Sequence, residues 1–114
     1  MQKFMLTTAL AIAFAVSNPA TAACEYPADA SLPDGAKASE AEMNAASAVV
    51  KKYIADMDVY MACLDAEQAA LPEEEKTPET KAMHVKRYNA AVDAEESIAA
   101  RFNDQIRAYK AARK

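Results

Sequence analysis

Cys24 and Cys63 are the two cysteines of this chain and the residues with the plainest chemistry. They lie far apart in sequence and form no Cys-x-x-Cys, so neither thioredoxin-type exchange nor haem attachment follows from them. In an exported domain, two cysteines are expected to pair with each other. The competing fate is acylation of Cys24 as the first residue of a lipoprotein. Against it, Thr21-Ala22-Ala23 lacks a large aliphatic residue three positions before the cysteine, and lipidation would leave Cys63 a lone thiol.

Other chemistry-bearing residues are scattered. His84 is the single histidine and has no cysteine or carboxylate at zinc-ligand spacing. Met43, Met57, Met61 and Met83 could form a soft thioether site, but Met43 and Met57 sit at heptad spacing, which favours core filling. Glu95 falls inside an apolar stripe, where a carboxylate is costly unless paired, and antiparallel folding is expected to bring it near Tyr53 and Lys52. One glycine cannot build a phosphate loop or a nucleophile elbow. No catalytic residues, metal ligands or cofactor are assigned, and the chain is read as a non-enzyme.

The elements that must position these residues can be read in order. Met1 to Lys3 and the uncharged run Phe4–Val16 have the order of a signal peptide, with small residues at Ala20-Thr21-Ala22-Ala23 for cleavage. Residues 1–23 are therefore assigned to a signal peptide, and the apolar run is shorter than the roughly 20 residues a spanning helix needs. Residues 24–38 hold Pro27, Pro33 and the turn signal Pro33-Asp34-Gly35, and are expected to form an extended arm anchored by Tyr26 and Leu32. Residues 39–114 are expected to form a helical hairpin, with helices over about 39–70 and 78–112.

The first helix has Ser39 as N-cap with Glu42 at capping-box spacing. Its seam runs through Met43, Ala46, Val50, Tyr53, Met57, Tyr60, Leu64 and Leu71, missing one step at Glu67. Leu71–Thr80, with two prolines around an acidic cluster, reads as the bend; Thr77 caps the second helix and Pro78 opens it. The second seam reads Val85, Tyr88, Val92, Ala99, Phe102, Ile106 and Tyr109, broadened by Met83, Ala91 and Ile98. Five basic residues, Arg101, Arg107, Lys110, Arg113 and Lys114, crowd the last turns, where they complement the helix dipole.

A Cys24–Cys63 bond would decide the architecture. Cys63 lies about 36 Å along the helix from Ser39, and the arm can reach about 50 Å extended, so it can lie back along the first helix. Closing a loop of about 40 residues contributes roughly 3–4 kcal/mol in the chain-entropy model. The hairpin alone would leave Val49, Ile54, Met61 and Ile98 wet, which is the argument for a homodimer, a four-helix bundle of two hairpins. Ile54, Met61, Ile98 and Glu95 are accordingly the candidate interaction residues.

Without Lys3 of the leader the chain keeps 12 of its 13 basic residues against 17 acidic ones, a net charge of −5. That acidity, without a basic surface studded with aromatics, excludes nucleic acid as a partner. Alanine makes up about a quarter of the chain, so a handful of Met, Leu, Ile, Val, Tyr and Phe must supply the core.

Tyr53-Ile54-Ala55-Asp56-Met57-Asp58-Val59-Tyr60-Met61-Ala62-Cys63-Leu64, Tyr88-Asn89-Ala90-Ala91-Val92 and Ala100–Lys110 resemble segments of small exported helical-hairpin proteins of Gram-negative bacteria. That resemblance spans most of the chain after the leader and implies no activity. The combined expectation is a periplasmic, non-catalytic protein that binds another envelope protein, with a small-molecule or metal-ion binder as the alternative. The secreted form should begin at Ala23 or Cys24 by intact-mass analysis; a secreted chain retaining Met1 would contradict the leader.

Overall fold

The computed structural model describes residues 23–114; apart from Ala23, the expected signal peptide lies outside the described residues. The fold is all-α. Helix α1, Glu40–Ala70, and helix α2, Pro78–Ala111, pack against each other, with a single 3-10 turn, Glu73–Glu75, in the bend. No strand occurs among the described residues.

Local chemistry sets the boundaries. Ser39 Oγ accepts from the Glu42 N–H at 3.1 Å while the Glu42 carboxylate reaches back to the Ser39 N–H, so two N-terminal amides of α1 are satisfied together. Leu71, before Pro72, takes extended dihedrals and ends α1. Thr77 Oγ1 accepts from the Thr80 N–H at 3.2 Å, and Pro78 opens α2, where no amide is missed. Lys76 Nζ meets Glu73 at 2.9 Å across the 3-10 turn and holds the Glu73 carboxyl below the usual carboxylate range.

Met43, Ala46, Val50, Tyr53, Met57, Tyr60 and Leu64 of the expected α1 seam are buried, while Leu71, its last member, caps the helix and is half-buried. Helix α2 keeps most of its expected face: Tyr88, Val92 and Phe102 pack against the core cluster. Ala91 and Ile98, expected on the flank of that stripe, are the fully buried residues, whereas Val85 is 53% exposed. Both lines satisfy heptad spacing, so period alone could not say which is the centre.

A disulfide joins Cys24 to Cys63, with their Cα atoms 5.6 Å apart. From there the arm returns along the hairpin, and Ala30 and Leu32 pack on the core cluster of Val50, Tyr53, Met57, Tyr60, Met61, Leu64, Ala91 and Ile98. Asp34 organises the turn at its far end, accepting the Ala36 N–H on its side chain and the Lys37 N–H on its carbonyl, both at 3.0 Å. Gly35 donates its N–H to Gln105 Oε1 of α2 at 2.8 Å. Its dihedrals are ordinary, and glycine is required there for closeness: a Cβ would stand 1.9 Å from the Gln105 carbonyl oxygen. Arg113 donates to the Ala38 carbonyl at 2.7 Å, closing the arm against the end of α2.

Gly35→Ala should therefore destabilise the protein by about 1–3 kcal/mol, the range for overpacking a fixed contact. Urea unfolding measures it, and a midpoint equal to that of the parent would contradict the close approach.

Candidate functional site

The four residues picked out as an interaction face do not share one. Met61 is 7% exposed and Ile98 fully buried, both in the core cluster on which the arm residues Ala30 and Leu32 also pack. Ile54 is half-buried against the same cluster. Glu95 is half-buried at the helix–helix contact. Of the residues that argued for a homodimer, Met61 and Ile98 are thus buried within one chain, Ile54 is half-buried and Val49 is exposed.

Glu95 does not find the neighbours expected of it. The register of the hairpin is marked by His84 Nε2 at 3.1 Å from Asp65 and by the Arg87 guanidinium 6.0 Å from the centre of the Tyr60 ring. Beside the Glu95 carboxyl lies Asp58, a second acid. Lys52 is instead engaged by Asp56, one turn along its own helix. One Glu95 oxygen, Oε1, is buried without a hydrogen-bond partner. Burial first, and then the neighbouring Asp58, push the Glu95 carboxyl up to about 7. Protonated, it is a neutral donor facing a carboxylate; ionised, it is a second negative charge on the same spot.

The remaining candidates are occupied structurally. Met43, Met57 and Met61 are buried in the core, leaving Met83 alone at the surface. Among the described residues, no group of three or more His, Cys, Asp or Glu side chains is placed to hold a metal ion. Two of the five basic residues toward the C-terminus contact the arm: Arg101 reaches Asp29 at 3.5 Å through exposed side chains, and Arg113 spans the Tyr109 ring and the Ala38 carbonyl. Glu67, the gap in the α1 seam, faces Arg87 at 3.6 Å. Its carboxylate also lies 3.2 Å from Cys24 Sγ, which carries no proton in the disulfide, so that contact is proximity and not a hydrogen bond.

An exposed apolar face does exist, in another place. Val49 and Val59 of α1 point outward, Val59 at 70% exposure, and Tyr26 of the arm is half exposed beside them. The Tyr26 ring meets the Tyr60 ring edge-on at 5.1 Å, which fixes it over α1. Two shallow recesses lie along this junction, one between Tyr26, Ala28 and Val59, the other between Ala28, Ala30 and Val49. Tyr53 forms the inner wall of the second; burial and then the Tyr26 hydroxyl beside it raise its pKa. Val59 was hidden from a periodicity reading because it belongs to neither seam; it acquires apolar neighbours only when the arm docks. Met83 and Val85 make a smaller exposed pair on α2.

No family model matches the chain, and no curated protein or solved structure matches it.

The acid pair gives a testable pH dependence. Because the folded-state pKa of Glu95, about 7, lies above its ordinary 4.5, the folded state binds this proton more tightly than the unfolded chain does. The contribution is complete below pH 4.5 and is lost as pH rises through 7. Glu95→Gln, which stays neutral, should be near neutral in effect at pH 4.5. At pH 8 it should stabilise by about 1–2 kcal/mol, a figure reduced for the solvent that reaches the carboxyl. Denaturant midpoints at the two pH values check this, and a Gln variant with no gain at pH 8 would contradict it.

Proposed function

We propose that this chain is an exported, non-catalytic interaction module of the bacterial envelope, and that it binds a protein partner through the junction of its arm with α1. The observation that carries this reading is the outward-facing apolar set Tyr26, Val49 and Val59 around two adjoining recesses. Exposed apolar side chains that cluster, rather than scatter, mark association surfaces. Aromatic side chains such as Tyr26 are frequent anchors in them. The rim is charged and mixed, with Glu25 beside Asp56, which pairs with Lys52, and Asp29, which meets Arg101.

Among the described residues no helix is long and apolar enough to cross a membrane. The alternative, a small-molecule or metal-ion binder, retains only the Glu95–Asp58 pair as a foothold.

A photo-crosslinking residue in place of Val59 should give a discrete adduct in intact cells, and Tyr26→Asp in the same chain should abolish it. The same probe at Lys86, on exposed α2 surface, is the control. An equal adduct from Lys86, or none from Val59, would contradict the assignment.

A further inference from the structure

We infer that the Cys24–Cys63 bond is a redox latch, and that its reduction by a dithiol releases residues 24–32 as a strap while the two helices stay packed. The inference goes beyond the proposed binding surface and does not depend on a partner. It rests on how unevenly the arm is held. Its second half is fixed without the bond: Gly35 is seated on Gln105, Arg113 holds the Ala38 carbonyl, and Ser39 caps α1. Its first half has no comparable polar anchor. Arg101 and Asp29 meet at 3.5 Å through exposed side chains, a pair of little energetic consequence in water. Tyr26 meets the Tyr60 ring edge-on and sets its hydroxyl beside Tyr53, yet remains half exposed. Ala30 and Leu32 pack on the core and are half-buried. The covalent bond is thus the one strong constraint on this half, and Pro33-Asp34 stands where the free part would begin.

The bond is also reachable. Both cysteines are half-buried, and they line one side of an open recess of about 680 Å³ with Ala66, Ala70 and Leu71. A dithiol entering there attacks one sulfur as its thiolate, giving a mixed disulfide and releasing the other cysteine as thiolate. The second thiol of the reductant then closes its own disulfide and frees the first cysteine. Two electrons pass to the chain, the two protons of the dithiol end on Cys24 and Cys63, and the reductant leaves oxidised. Release removes Tyr26 from the face it shares with Val49 and Val59, and uncovers the side of Tyr53 and Tyr60 that it overlay.

Backbone NMR relaxation on the oxidised protein, on the protein reduced with dithiothreitol, and on the Cys24→Ser/Cys63→Ser variant tests the latch. Oxidised, residues 25–32 should have order parameters close to those of the helices, about 0.85, with a cross-peak between the Tyr26 and Tyr60 rings. Reduced, and equally in the serine variant without reductant, the same residues should fall below about 0.6 and the cross-peak should vanish, while α1, α2 and the Gly35–Gln105 contact keep their signals. An arm as ordered after reduction as before would show that its packing needs no latch. Helix signals collapsing together with the arm would show that the bond staples the whole fold. Either result overturns the inference.

Discussion

Helix α1 carries an apolar stripe wider than a single neighbouring helix can cover, and the rest of the structure answers that constraint. Six of the eight residues in the core cluster, Val50, Tyr53, Met57, Tyr60, Met61 and Leu64, come from α1, against Ala91 and Ile98 from α2. A stripe of that breadth wants two neighbours. Helix α2 is one of them, and the arm, tied to Cys63 and bearing Ala30 and Leu32, is the other. The same arrangement explains the glycine, since a backbone laid against a helix to complete a core needs one position where no side chain intervenes.

Much of this was legible in the residues. Ser39, Glu42, Thr77 and Pro78 marked both helix starts because capping chemistry is local and depends on nothing distant. The α1 seam was readable because one heptad line there is apolar almost throughout. The disulfide followed from counting cysteines in a sequence read as exported, and the return path of the arm from chain reach. The face of α2 was legible only in part. Tyr88, Val92 and Phe102 pack on the core as their spacing suggests, but the fully buried residues are Ala91 and Ile98 on the flank of that stripe, and Val85 is exposed. The approach of Asp58 to Glu95 is a tertiary contact that no local pattern could show. Met61 and Ile98 were read as wet for a related reason: the arm's contribution to burial is a property of the closed fold and not of the hairpin.

Polar groups in this protein do mostly positional work. Arg113 ties the end of the arm to α2, Arg87 bridges Glu67 and the Tyr60 ring, and His84 meets Asp65 near the bend. Glu95 is the exception, an acid set against another acid at the helix contact with one buried oxygen unpartnered. The clustered exposed apolar side chains lie instead where the arm meets α1. Tyr26, Val49 and Val59 become neighbours only through the docked arm, so the bond that completes the core also assembles the proposed binding face.

That dual role makes the connectivity of the two cysteines the central claim. Non-reducing peptide mapping with intact-mass analysis of the secreted protein measures it directly. The structure predicts a single crosslinked species joining the Cys24 and Cys63 peptides within one chain, and no alkylatable thiol before reduction. Two alkylatable thiols, a lipid-modified Cys24, or a bridge between two chains would contradict the arm-completed core.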